Sequence, residues 1–201
     1  MGRPLVCGVG VYEKGEFIGA YTLAGKSVHT KEYELWRGTL RRCYSKESLE
    51  KHPTYAGCTV SENFKNFQYF AEWCQSQVGF GVQGFQLDKD ILVKGNKVYS
   101  ETMCVFVPKK INNLLVSSAA TRGIHPIGVN FRSRKGYEHF AAQISNNTKI
   151  HLGHFDTAEA AYLAYKLAKE QIIKQVAEQY KDQIDPRVYT ALVNYEVEVT
   201  D

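Results

Sequence analysis

The C-terminal third of the chain alternates apolar and polar residues with a period of two. Three such runs lie near 127 to 133, 138 to 145 and 149 to 155, and turn-forming residues at 133–136 and 146–148 separate them. This alternation is typical of strands that have one buried and one exposed face. The pattern predicts a three-stranded antiparallel sheet.

A helical pattern follows the third run. Residues 156–159, Asp-Thr-Ala-Glu, resemble a capping box, and small or apolar residues then recur at spacings of three and four, at Ala161, Ala164, Tyr165, Ala168 and Ile172. The predicted strands need a cover for one face, which carries Val129, Phe131, Phe140, Ala142, Ile144, Ile150 and Leu152. We therefore expect one long helix to pack on that face.

The first 116 residues predict a different order of elements. Residues 5–23 are expected to form a hairpin that turns at 13–15, and helices are expected over 30–43, capped by Thr30, and from Ser61 onward. Aromatic residues recur on one side of both helices, which favours a place in the core. Residues 85–116 then predict strand, long loop, strand and helix, with Pro108 in the first helical turn.

These patterns together predict an α+β protein with four parts. An N-terminal β-hairpin covers residues 1–30, a mixed domain residues 31–116, a linker residues 117–126, and the sheet domain with its helix and tail residues 127–201. The residues after 180 are expected to fold back onto the body of the protein.

Composition narrows the class of protein. The five cysteines form no CxxC pair, so we expect reduced, mostly buried thiols and no structural metal. No apolar run approaches the roughly 20 residues of a membrane span, and the first residues lack the apolar stretch of a signal peptide. We expect a cytoplasmic protein with no membrane partner.

The uncovered face of the predicted sheet carries hydrogen-bonding and cationic residues: Asn130, Arg132, His139, Gln143, Ser145, Lys149 and His151. Between Arg122 and His154, five cationic residues stand against one acidic residue, Glu138, so this segment alone accounts for the net charge of +4. One face of a small sheet is often polar simply because water covers it. Arg, Asn, Gln and Lys are also the side chains that contact bases and phosphates in the major groove.

Three segments of this region resemble the DNA-binding domain of plant ethylene-response factors: PIGVNFR at 126–132, FAAQI at 140–144 and IHLGHFDTAEAAYLAY at 150–165. The resemblance implies a sheet that lies in the major groove of double-stranded DNA. It places DNA contacts at Asn130, Arg132, Gln143, Ser145, Lys149 and His151, with Arg134, Lys135 and His139 beside them. That family has Arg where this chain has Asn130, Ser145 and Lys149, so the docking mode is implied and the plant target sequence is not.

Residues 36–113 resemble the HNH nuclease domain of phage-borne homing endonucleases, a ββα-metal-type fold. The resemblance lies in WRGTLRRCY at 36–44, YAGCTV at 55–60, NFQYFAEW at 66–73, LDKD at 87–90 and CVFVPKKIN at 104–112. An active site of this family needs an Asp-His pair, a middle Asn and a last Asn or His around one divalent metal ion. Here Asp88 and Asn112 match, Lys89 replaces the His, and Cys104 replaces the middle Asn.

These departures imply a degenerate nuclease site. Asp88 and Asp90 flank Lys89 and favour its charged form, which is no base, and a thiol is a poor ligand for Mg²⁺. Asp88 and Asp90, with Asn96, still offer oxygen atoms to a metal ion. A solvated charge cluster at a strand end is the alternative interpretation of residues 88–90.

Three functions remain open from the sequence. The first is a phage or mobile-element protein that binds double-stranded DNA without a cofactor and carries an inactive HNH-like domain. The second is a site-specific homing endonuclease that cuts DNA with Mg²⁺ or Mn²⁺. The third is a protein-binding regulator or anti-defence factor that re-uses the DNA-binding face. A phage-encoded protein would work in the cytoplasm of its host cell.

Overall fold

The computed structural model describes residues 4–115, 124–134, 136–146, 148–199 and 201, and of Arg134 and Asn146 the backbone only. Most of the predicted linker at 117–126, the predicted contact residue Lys135 and the middle of the predicted turn at 146–148 lie outside the described residues. The chain forms two compact units. The first comprises Met1–Lys109 with Gln183–Val188, and the second Lys110–Asp182 with Tyr189–Asp201.

The first unit contains short strands and helices. In chain order these are β1 (Ala20–Leu23), β2 (Lys26–His29), α1 (Lys31–Tyr44), α2 (Lys46–Lys51), a 3-10 turn at Pro53–Tyr55, β3 (Thr59–Val60), α3 (Glu62–Lys65), α4 (Phe67–Ser76), β4 (Phe85–Asp88), β5 (Val98–Tyr99) and β6 (Val105–Pro108). β4 pairs with β6 antiparallel, and helix α5 (Lys109–Leu115) follows. The predicted order of strand, loop, strand and helix is therefore confirmed in part, because the short strand β5 lies within the predicted loop and Pro108 ends β6 and does not lie in the helix.

The predicted hairpin at 5–23 is wrong in its position. The observed hairpin is β1–β2, and it turns at Ala24 and Gly25, which have φ angles of +49° and +76°. Two positive φ angles suit the twist of a tight hairpin, but an alanine rarely marks such a turn in a sequence. Residues 13–17 instead form a loop around Gln68, whose side-chain amide bonds the backbone of Glu13 and Phe17.

The second predicted helix is divided into α3 and α4. Val11 lies against the division, since its N–H donates to the Lys65 carbonyl at 2.8 Å and its carbonyl accepts from the Phe67 N–H at 3.0 Å. A continuous helix would need these same backbone groups. The side chain of Asn66 caps the new start, so the second helix is two helices and not one.

Aromatic side chains from α1, α3 and α4 form the core of the first unit, as their spacing predicts. Trp36, Phe64, Phe67 and Phe70 are at most 1% exposed. The Trp36 indole N–H donates to the Phe64 carbonyl at 2.8 Å, which satisfies the polar atom that the ring carries into the core. Helix α1 begins after its cap Thr30, as predicted. All five cysteines are free, and four are buried: Cys43, Cys58, Cys74 and Cys104.

The second unit contains the predicted three-stranded antiparallel sheet and long helix. The strands β7 (Val129–Arg134), β8 (Tyr137–Asn146) and β9 (Thr148–Phe155) lie in that order, and α6 (Ala158–Tyr180) packs on them before α7 (Pro186–Val193). Val129, Ala142 and Ala161 are buried where helix and sheet meet. Phe131 and Ile150, which were also expected under the helix, stay 42% and 41% exposed, since they lie on the outer strands and α6 runs mainly over β8.

Helix α6 is held at its start and along its length. Thr157 caps it, so the predicted capping box is wrong by one residue and Asp156 lies outside the cap. The tail returns to the helix as expected, because the Val197 carbonyl accepts hydrogen bonds from the Tyr162 hydroxyl at 2.9 Å and the Lys166 ammonium at 2.8 Å. None of the described helices is long and apolar enough to cross a membrane.

Replacing Gly128 is expected to loosen the contact between α6 and the sheet. Its φ is +76°, and an added Cβ would lie 2.0 Å from a ring carbon of Tyr165. Gly128→Ala should lower the free energy of unfolding by about 2 to 4 kcal/mol, because a left-handed alanine and an overpacked core each cost about 1 to 2 kcal/mol or more. Urea denaturation measures this loss.

Gly136→Ala is the matched control for this variant. Gly136 has nearly the same φ, +81°, but no atom of the described residues beyond its chain neighbours lies within 4 Å of an added Cβ. It should therefore lose only the conformational share, about 1 to 2 kcal/mol. Equal losses in the two variants would contradict the packing of Gly128 on Tyr165.

Candidate nucleic-acid interface

Strand register places the predicted DNA-contact residues on one face of the sheet. Opposite residues in a ladder point to the same side. The pairs are Asn130 with Ala141, Arg132 with His139, Gln143 with His151, and Ser145 with Lys149. We call this surface the outer face. The backbone of Arg134 pairs with that of Tyr137 at the end of the same ladder.

A β-bulge adds His154 to the outer face. Ala142 pairs with Gly153 while Gln143 pairs with His151, so β9 carries one extra residue at this point. The extra residue shifts the alternation and brings His154 to the same side as His151. A strict period of two assigns His154 to the covered face, and sequence reasoning therefore missed it. A glycine inside a strand is a sequence signal for a bulge, and Gly153 lies at this one. Its φ is +137°.

Three histidines meet on the outer face, and we call them the histidine cluster: His139, His151 and His154. The rings of His139 and His154 lie edge to face with centroids 4.4 Å apart, and those of His151 and His154 are 4.5 Å apart. The ring of Tyr137, which sequence reasoning also missed, lies 5.2 Å from that of His139. Nδ1 of His139 is buried and has no hydrogen-bond partner among the described residues.

The surroundings of His154 disfavour its charged form. Desolvation and, after it, the proximity of His139 and His151 lower the pKa of His154. A histidine whose pKa lies below its ordinary value is neutral at pH 7. At neutral pH the His154 ring therefore has one nitrogen that donates a hydrogen bond and one that accepts, and it gains positive charge only in acid.

The outer face has no acidic residue among its described side chains. Arg132 and Lys149 are exposed, and neither forms an ion pair with a described residue. Glu138 belongs to β8 but points to the other side by alternation. Ala141, at the centre of the face, is 1% exposed because the larger polar side chains around it cover it. The face thus presents cationic and hydrogen-bonding groups that are free to bind a ligand.

The Asp88-Lys89-Asp90 segment, where β4 ends, forms a hydrogen-bonded turn. Asp88 Oδ1 accepts from the N–H groups of Asp90 and Ile91 at 2.9 and 2.8 Å. Lys89 Nζ lies 3.0 Å from Asp90 Oδ2 and 5.9 Å from the centre of the Tyr99 ring. Lys89 is only 8% exposed, so the interpretation of this segment as a solvated charge cluster is wrong. Each of its three charged residues has a partner within the protein.

Two other residues of the predicted nuclease region, Asn96 and Cys104, serve the backbone and the core. Asn96 Nδ2 donates to the carbonyls of Lys89 and Val98 at 2.7 and 2.8 Å. Burial raises the pKa of Cys104 to about 12, so its thiol stays protonated at neutral pH. Asn112 lies on α5, within the second unit. In the described ranges, no group of three or more His, Cys, Asp or Glu side chains is placed to hold a metal ion.

Comparison with known proteins identifies no relative. No protein-family model matches the chain, and neither a curated protein nor a solved structure shows a significant match. The resemblances to ethylene-response-factor and HNH domains remain predictions from the sequence.

Asp88 is expected to act on stability through its charge. Burial and then the Asp90 carboxylate raise the pKa of Asp88, against the two N–H donors that lower it. A carboxyl whose pKa is higher in the folded than in the unfolded protein stabilises fully below about pH 4, and this contribution is lost as the pH rises through the folded-state pKa. Asp88→Asn keeps an oxygen acceptor but stays neutral, so at pH 7 it should be more stable than wild type, with the difference vanishing near pH 3.

Comparison of Asp88→Ala with Asp88→Asn separates the effect of the hydrogen bonds on stability from the effect of the charge. It removes the acceptor of two backbone N–H groups and should be about 1 to 3 kcal/mol less stable than Asp88→Asn at pH 7. Chemical denaturation at both pH values provides the measurement. An Asn variant less stable than wild type at pH 7 would show that the charged carboxylate itself stabilises the turn.

Proposed function

We propose that the protein binds double-stranded DNA through the outer face of its three-stranded sheet. The observation that supports this most directly is the composition of that face, which combines exposed Arg132 and Lys149 with amide, hydroxyl and imidazole groups and has no described carboxylate. DNA presents closely spaced phosphates, and an acidic side chain opposite them would oppose binding. A face that only water covers could carry acidic and basic residues alike, so the lack of a carboxylate among the described residues of this face favours a polyanionic ligand.

The dimensions of the sheet suit the major groove. Three strands about 4.8 Å apart form a layer about 10 Å wide, and the major groove is about 12 Å wide. Arg132 can form two hydrogen bonds with guanine, and Asn130 and Gln143 can do so with adenine. Lys149 lies on the edge strand β9 opposite Ser145. We propose that it contacts phosphates, which set the register of a protein on the duplex.

The first unit is proposed to support binding without cleavage. A general base must accept a proton at neutral pH, and Lys89 is an ion-paired cation beside Asp90. Asp88 commits one carboxylate oxygen to two backbone N–H groups, which leaves it fewer lone pairs for a metal ion. The roles of Asp88, Lys89 and Asn112 in catalysis, and of Asp88 and Asp90 as Mg²⁺ or Mn²⁺ ligands, remain the alternative.

A plasmid assay distinguishes binding from cleavage. Duplexes selected by the protein from a random library are placed in a supercoiled plasmid and incubated with protein and Mg²⁺ or Mn²⁺. Retarded but intact plasmid supports the proposal. Metal-dependent nicking that disappears in Asp88→Ala would instead establish the homing-endonuclease alternative.

Arg132→Ala is expected to weaken binding to the selected duplex by about 1 to 3 kcal/mol, because a bidentate contact with one base is lost. Lys149→Ala should weaken binding to all duplexes alike and reduce the slope of log affinity against log salt concentration by about 1. Gel shifts over a series of salt concentrations measure both effects.

Lys174→Ala is the control for these variants, because it removes an exposed cation from α6, away from the sheet. It should bind as wild type does. If all three variants bind equally, the outer face is not the DNA-binding surface. If no duplex is bound and a protein partner is captured through Arg132 and Lys149, the third function, a protein-binding module, is favoured.

Acid is expected to strengthen DNA binding and to weaken the fold. The lowered pKa of His154 means that this ring takes up a proton only in acid, and the added charge lies on the face proposed to meet the phosphates. Affinity should rise by about tenfold between pH 7.5 and pH 5.5. Stability changes in the opposite direction, because the unfolded chain binds the proton of His154 more readily and the free energy of unfolding falls as the pH drops below about 6.5.

Replacement of His154 tests this pH dependence. His154→Asn should show a smaller rise in affinity between pH 7.5 and pH 5.5 than wild type. His29→Asn, in the first unit, should keep the wild-type response. An unchanged pH response in His154→Asn would assign the effect to other groups.

A further inference from the structure

A pocket of about 370 Å³ lies in the first unit beside α1 and α2, well separated in sequence from the outer face. Its lining residues are Gly38, Arg41, Arg42, Ser48, His52 and Tyr55. None of them is acidic, and two are arginines. A concave site that is lined by cations and hydroxyl groups has the chemistry of an anion-binding site.

Arg42 is fixed in this pocket before any ligand binds. Its Nε donates to the Tyr99 hydroxyl and its Nη2 to Thr39 Oγ1, both at 3.2 Å. Its guanidinium carbon also lies 5.8 and 5.5 Å from the ring centres of Tyr55 and Tyr99. These contacts leave Nη1 without a partner among the described residues. A guanidinium that is held on three sides loses little conformational freedom when the fourth side binds an anion.

The other polar groups that line the pocket are also available to bind a ligand. Arg41 is exposed, and its guanidinium forms no hydrogen bond or ion pair with a described residue. The Ser48 hydroxyl and the His52 ring likewise have no hydrogen-bond partner in the described part of the chain. The pocket therefore combines Nη1 of the fixed Arg42 with the Arg41 guanidinium, the Ser48 hydroxyl and the His52 imidazole, which form no hydrogen bond with the described residues.

Gly38 keeps the pocket open. It lies inside helix α1, where glycine costs about 1 kcal/mol relative to alanine. Packing does not demand it, because an added Cβ would meet only Arg42 Nη1, at an ordinary contact distance of 3.8 Å. A larger side chain at this position would extend over the unpaired Nη1. The glycine thus leaves Nη1 of Arg42 accessible from the pocket.

We infer that this pocket binds a phosphate ester. Two guanidinium groups match the charge and the several acceptor oxygens of a phosphate, and the volume leaves room for an attached sugar. The phosphate can belong to a free nucleotide or to the backbone of a nucleic-acid strand. The inference does not depend on DNA binding by the outer face, because the pocket lies wholly in the first unit.

NMR titration of the full-length protein tests the inference. The probes are inorganic phosphate, adenosine monophosphate and a short DNA duplex, and the signals are the His52 ring and the backbone amides of Arg41, Arg42 and Ser48. Saturable shifts with the first two probes indicate a free phosphate ester as the ligand. Saturable shifts with the duplex alone indicate a strand phosphate. Either result supports the site, and no saturable shift with any probe up to about 10 mM would overturn it.

Two variants on α1 distinguish phosphate binding in the pocket from the attraction of phosphate to any positive charge. Arg41→Gln should weaken phosphate binding by about tenfold, since a hydrogen bond between charged groups is lost. Arg37→Gln removes the same charge one turn earlier, outside the pocket and 3.5 Å from the His29 ring, and should have no effect. Equal weakening in both variants would overturn the inference.

Gly38→Leu tests the pocket by filling it. Leucine favours the helix, so the variant should fold at least as stably as wild type while phosphate binding is lost. Retained binding in a folded Gly38→Leu variant would overturn the inference. Arg132→Ala should leave the pocket signals responsive to phosphate, so that failure of the outer face and failure of the pocket are observed separately.

Discussion

The packing of α6 on one side of a three-stranded sheet determines what the other side can present. Gly128 brings the backbone ahead of β7 so close to the Tyr165 ring that no side chain fits between them, and Ala142 and Ala161 allow equally close approach at the centre. Once the inner side is fixed, alternation leaves no freedom for Asn130 or Gln143 but to face outward. The apolar packing between α6 and the sheet therefore determines which polar side chains form the outer face.

The parts of this fold that could be predicted are those determined by nearby residues. A period of two located all three strands, and Thr30 marked the start of α1, because pleat and cap are local properties. The division between α3 and α4 depends on Val11, which is more than fifty residues away in the chain, and no local pattern carries that information. The β1–β2 turn was missed for a local reason. Ala24 adopts a backbone conformation that alanine normally avoids, so its residue type does not mark the turn.

The outer face and the Asp88-Lys89-Asp90 segment also differ in how much of their structure nearby residues determine. On the outer face the predicted residues whose side chains are described lie together, because burial of one face fixes the direction of every other side chain. Around Asp88 the residue types suggested metal chemistry, but their partners are backbone N–H groups, carbonyls and the Tyr99 ring, which composition does not reveal. Carboxylates, lysines and asparagines are equally suited to closing a loop and to catalysis, and only geometry decides between the two.

The bulge in β9 also bears on how this strand can change in length. The register leaves Leu152, next to Gly153, without a partner on β8, and the residues around the bulge keep their sides of the sheet, His151 and His154 outward and Phe155 towards the helix. A chain without Gly153 would form an uninterrupted ladder with those same side chains facing the same ways. The strand can therefore lose one residue at this point without reversing its faces, so a deletion here would leave the composition of the outer face unchanged.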